Sequence, residues 1–94
     1  MSIQLNQIVD IATINMDVKR IISEELGVEL QSIRSETDIV DELGAGQSDL
    51  ESIKVATEHW FYIKISDENW GKMRCVHDIV HLVDVHLEIK QIEM

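Results

Sequence analysis

Apolar residues in this chain recur at three- and four-residue spacing in separate stretches, and no stretch alternates for long enough to build a sheet. The fold must therefore be made of helices that each bury one stripe. The clearest spacing predicts a helix over Met16–Leu26, with Val18, Ile21, Ile22 and Leu26 on one face. Asp17 then places an acid in its first turn, and Gly27 follows as a stop. A second helix is expected to start at Gln47 to Asp49, where Ser48 or Asp49 can cap the free amides, and to end near Phe61. Leu50, Ile53, Ala56, Thr57, Trp60 and Phe61 supply its inner face. Tyr62–Ile65 alternates but has no second strand to pair with, so it reads as a connector pinned by Ile63 and Ile65. Ser66 caps a short helical turn through Trp70 that ends at Gly71. The last helix runs from Val76 to about Ile89, with Val76, Ile79, Val80, Val83 and Leu87 on one side.

The expectation is an all-α four-helix bundle with a long first loop and a short third helix. Proline is absent, so these boundaries rest on glycines, caps and periodicity. Between the first two helices, Leu30, Ile33, Ile39, Val40 and Leu43 are apolar points separated by polar residues. They read as pins of an ordered loop with room for one helical turn, and an ordered loop of that length in a small domain is usually functional. Residues 1–14 form an N-terminal extension ahead of a domain at 15–94. With Ile3, Leu5, Ile8, Val9, Ile11, Ala12 and Ile14 the extension is too apolar for a plain tail. It extends the first helix backwards, packs as an arm, or joins two copies into an oligomer.

Ninety-four residues make one domain, near the lower limit for burying a core without disulfides or metal. Cys75 is the single cysteine, which excludes an intramolecular disulfide, fits a reducing cytoplasm and reads as a small core residue. No apolar run is long enough to span a membrane, and Met1 to Asp10 has no basic region of the kind that opens a secretory signal. Eighteen acidic against eight basic residues give a formal charge of −10, which repels a phosphate backbone and excludes nucleic acid as a partner. Between Glu24 and Glu51 stand nine acidic residues and one basic residue, Arg34. A protein partner meeting that stretch should present Lys and Arg; the alternative is a solvated surface that aids solubility.

Signals for catalysis or metal are weak. His77 and His81 lie four residues apart on the last helix, with Asp84 and His86 further on, but a zinc site needs a third directed ligand and a second shell. They read as its solvent face, and no metal site is expected. Gly44 and Gly46 lack the Lys and the preceding strand of a phosphate loop. A chain this small offers little pocket volume, so it is not expected to be an enzyme. Trp60 and Trp70 either line a cavity or flank the core.

Several strings resemble acyl carrier proteins, across some seven-tenths of the chain from about Val18 to Val85. They are Val18-Lys19-Arg20-Ile21-Ile22 through Leu26-Gly27-Val28, Asp41-Glu42-Leu43-Gly44-Ala45, Phe61, Ile63-Lys64-Ile65-Ser66-Asp67-Glu68, and Val76 to Val80. They line up with the family pattern without insertion or deletion. The resemblance implies the acyl-carrier-protein bundle and a 4′-phosphopantetheine arm on the serine of an Asp-Ser-Leu triplet that follows Leu-Gly-Ala. A helix N-terminus suits such a phosphodiester, because its free amides and positive dipole end favour an anion.

In this chain Leu43-Gly44-Ala45 is followed by Gly46-Gln47-Ser48. Gln47 therefore occupies the aligned serine position, and Ser48 is the candidate attachment site after a shift of one residue, about 100° around a helix. The other role open to Ser48 is that of an N-cap. The side that faces partners in the family is more polar here, with Ser48, Glu51, Lys54 and Val55. Asp41, Glu42, Asp49, Glu51 and Glu58 are candidate docking residues for basic surfaces of acyl-transferring or acyl-activating enzymes and of a phosphopantetheinyl transferase. Two readings follow. One is a carrier of a thioester-bound acyl group in fatty acid or polyketide biosynthesis. The other is a degenerate carrier fold without the arm, acting as an interaction or regulatory module.

Overall fold

A computed structural model describes residues 10–93. Four helices follow in order, α1 (Ile11–Leu26), α2 (Gln47–Phe61), α3 (Asp67–Trp70) and α4 (Val76–Glu93), with one 3₁₀ turn, η1 (Leu30–Ser32), in the first loop. No strand occurs among the described residues; the only bridge is an isolated antiparallel pair between Asp38 and Cys75. The chain is thus an all-α bundle with a long first loop and a short third helix.

Helix α1 begins five residues before the expected Met16. Asp10 caps it, its Oδ1 accepting from Thr13 N–H at 2.9 Å, and Ile14 is fully buried. Residues 11–14 of the expected extension therefore continue α1 backwards, and residues 1–9 lie outside the described residues. Asp17 consequently stands in the body of the helix rather than in its first turn. Gly27 ends α1 with φ +70°, its N–H reaching Ser23 O at 2.9 Å, a left-handed conformation that suits glycine.

α1 packs against both α2 and α4, and η1 lies against it. Its Ile14, Val18, Ile21 and Ile22 meet Ile53, Thr57 and Phe61 of α2 and Val76, Ile79, Val80 and Val83 of α4 in one core. The core is built largely from Ile and Val, whose stiff χ1 angles lose little freedom on burial. Thr57 is tolerated at 0% exposure because its hydroxyl donates to Ile53 O at 2.7 Å. Trp60, expected on the inner face, is 57% exposed, since the apolar stripe of α2 is already filled by Ile53, Thr57 and Phe61.

The long loop is pinned by side chains and by backbone bonds to the start of α4. Ile33 and Ile39 are buried, whereas Val40 is exposed. Ser35 O accepts from His77 N–H at 2.8 Å, Thr37 O from Val76 N–H at 3.2 Å, and Arg74 O from Ile39 N–H at 3.0 Å. Two of the donors that open α4 are thereby satisfied by the loop. Asn15 of α1 donates to Ser35 Oγ at 3.0 Å, tying the same loop to the first helix. Cys75 is half-buried at the bridge rather than fully inside the core.

Three carboxyls that make these local bonds sit below their ordinary pKa of 3.8. Asp10 is lowered chiefly by the Thr13 backbone N–H, Asp38 by the Asp41 backbone N–H and then by Arg74, and Asp67 by the Lys54 ammonium. The unfolded chain binds these protons more readily, so their stabilisation is present above pH 3.8 and is lost as pH falls through the depressed folded values. Lys54 runs the other way: the Asp67 carboxylate raises its pKa above 10.5, so its contribution is present below that value and fades as pH rises past it. Circular dichroism melts across pH should show stability falling below about pH 4. Asp38→Asn should flatten that acid limb, and an unchanged limb would remove Asp38 from the account.

Candidate functional site

The start of α2 is set by a short run of backbone turns. The Asp38 Oδ1 accepts from the N–H groups of Val40 and Asp41 at 3.0 and 2.7 Å, which opens the turn. Gly44, at φ +74°, donates to Val40 O, and Ala45, 6% exposed, donates to Ile39 O at 3.1 Å. The chain is thus held in place immediately before the helix. Gly46 is the N-cap residue, and Leu50 N–H bonds its carbonyl at 3.0 Å.

This departs from the expected Ser48 or Asp49 cap. Ser48 lies in the second helical position, and Asp49 reaches back from the third so that its Oδ2 accepts from Gly46 N–H at 3.0 Å. The helix starts two residues earlier than a Ser48 cap allows, because Gly46 takes the cap position and the Asp49 carboxylate closes the first turn onto its N–H. Having no side chain, Gly46 also cannot bond the first-turn amides, which an anion can then use.

Gln47 and Ser48 are both exposed but face different ways. Gln47 borders a cleft of about 250 Å³ between α2 and the α3 region, whose apolar wall includes Ile39, Leu50, Trp70, Met73 and Ile79. Ser48 does not line it. Trp70 belongs to this cleft, whereas Trp60 does not. α3 and the connector before it are held against α2: Lys54 Nζ lies 2.8 Å from Asp67 Oδ1, and Glu58 Oε2 accepts from Ile65 N–H at 2.8 Å. Ser66 Oγ caps α3 by accepting from Asn69 N–H at 3.1 Å.

The five candidate docking carboxylates are not equivalent. Asp41 lies 3.5 Å from Arg74 Nη2, which also meets Asp38 at 3.4 Å. Glu42 accepts from Asp38 N–H, Asp49 from Gly46 N–H and Glu58 from Ile65 N–H. Glu51 makes no hydrogen bond or ion pair of its own among the described residues and stands exposed one turn after Ser48. Arg74 was not signalled by the sequence, since its partners lie 36 and 33 positions earlier and no local spacing marks the pairing.

On α4, His77 and His81 are exposed, and His86 Nδ1–H donates to Leu82 O at 2.8 Å. Among the described residues no group of three His, Cys, Asp or Glu side chains is placed to hold a metal ion, and no helix is long and apolar enough to cross a membrane.

A small α-bundle with a long, pinned first loop leading into its second helix has the architecture of a carrier-type domain. No protein-family model matches the chain. The acyl carrier protein of Clostridium acetobutylicum is 35% identical over 71 residues, which is 76% of this chain and 92% of that protein. The chain belongs to the acyl carrier protein family.

Proposed function

We propose that this protein is a carrier module in which Ser48 receives a 4′-phosphopantetheine arm and presents a thioester-bound acyl group to partner enzymes. The observation that carries the reading is an exposed Ser48 hydroxyl at an α2 N-terminus whose glycine cap leaves the first-turn amides free for a phosphodiester. In the transfer, Ser48 Oγ forms a bond to phosphorus as the pyrophosphate P–O bond of coenzyme A breaks. Adenosine 3′,5′-bisphosphate leaves, and the hydroxyl proton passes to a base of the transferase. The arm supplies a thiol on which an acyl group rides; the chain itself catalyses nothing.

Partners in this reading are acyl-transferring or acyl-activating enzymes, and the transferase, with basic surfaces. Glu51 offers them a carboxylate without internal bonds, and Asp41, Glu42, Asp49 and Glu58 add field from bonded positions. A cytoplasmic setting fits Cys75, which has no second cysteine to pair with. The reading includes the joining of two copies through the extension at residues 1–14, of whose described residues Ile11 is exposed and Ile14 is buried in the core.

Intact mass spectrometry after incubation with coenzyme A and a broad-specificity phosphopantetheinyl transferase tests the proposal. The expected result is a gain of one arm that Ser48→Ala abolishes while the variant keeps its helical circular dichroism. No gain, also with the host's own transferase, would sink it. That result would favour the degenerate reading, which Gln47 in the aligned serine position motivates, of an interaction module without the arm.

A further inference from the structure

Resting on the attachment at Ser48, we infer that the arm lies on the outer face of α2, in a shallow groove beside Ser52, Val55 and His59, rather than in the cleft between α2 and α3. Successive helical residues are about 100° apart, so the step from Gln47 to Ser48 turns the attachment point away from the cleft that Gln47 borders. Ser48, Ser52, Val55 and His59 follow at intervals of four, three and four, which places them on one stripe about 17 Å long. One turn beyond Ser48 that stripe passes a groove of about 360 Å³ lined by Glu25, Glu51, Ser52, Val55, Ala56 and His59.

The groove's chemistry matches the arm. The carboxylates of Glu25 and Glu51 accept from amide N–H groups, the Ser52 hydroxyl and the His59 ring donate to amide carbonyls, and Val55, 44% exposed, offers apolar surface to the geminal methyls. Glu51 borders both the groove and the cleft, so a charged ridge separates the two paths. The consequence is a cargo presented in solvent near the C-terminal end of α2. Such a carrier suits short or polar acyl groups, which need no apolar shelter.

The test compares backbone and indole NMR spectra of the unmodified and arm-bearing protein, with intact mass reporting the loading separately. The expected outcome is shifted amide signals at Ser52, Val55 and His59 with Trp70 and Met73 unmoved. In Val55→Asp, still loaded by mass, Ser52 and His59 return towards their unmodified positions. Shifts at Ile39, Trp70 and Met73, or shifts confined to Gln47–Asp49, would overturn the groove while leaving attachment intact. Absence of any mass gain overturns both.

Discussion

A variant carrying Gly46→Asp, Gln47→Ser and Ser48→Leu is expected to accept the phosphopantetheine arm at position 47 about tenfold or more faster than the natural chain accepts it at Ser48. That factor corresponds to about 1.4 kcal/mol in the barrier of the transfer step. The three changes restore the family triplet on a backbone that needs no rearrangement, because position 47 is already the first residue of α2 and position 46 already has extended cap geometry. The gain comes from orientation: a transferase docked on the family surface meets a hydroxyl on the cleft side, whereas Ser48 offers one turned by about 100°. Aspartate at position 46 also supplies a cap acceptor that glycine lacks. Intact mass against time measures both rates. Equal rates would mean that orientation at the helix start does not limit the transfer and that the polar face around Glu51 and Lys54 governs recognition.

Ile53→Ala is expected to cost about 2–5 kcal/mol of folding stability, the range for removing a large aliphatic side chain from a filled core. Ile53 is 0% exposed and sits where α2 meets the cluster formed by Val18, Ile22 and Ile79. A domain of this size has on the order of 5–15 kcal/mol in total, so the loss is a large share of it. Urea unfolding followed by circular dichroism reads the change. Val55→Ala, two residues away on the exposed face, serves as the comparison and should move stability by no more than about 0.5 kcal/mol. Similar losses for the two would contradict the inward direction assigned to the Ile53 stripe.

The same contrast shows what the chain's own pattern determined. Three- and four-residue apolar spacing located the body of α2 up to about Phe61 and the start of α4 at Val76, because a helix with one buried stripe writes its period directly into the sequence, and the Ser66 cap with Gly71 beyond it located α3. Ile53, Ile79, Val80 and Val83 were legible as core for that reason. The strings shared with acyl carrier proteins led to the family and drew attention to the residues after Ala45.

Only the tertiary structure decided the rest, because it depended on distance through space or on backbone angles. Ile14 became core, and α1 began at Ile11, because Asp10 supplies the cap and α4 and the long loop lie where α1 can pack on them. Trp60 stayed outside because its apolar stripe was already filled. Arg74 found Asp38 and Asp41 across more than thirty positions. At the site, periodicity could rotate Gln47 relative to Ser48, but it could not say which of the two borders a cleft. That followed from where α3 docks on α2 through Lys54 and Asp67 and through Glu58 and the Ile65 amide, contacts between elements that no local spacing encodes.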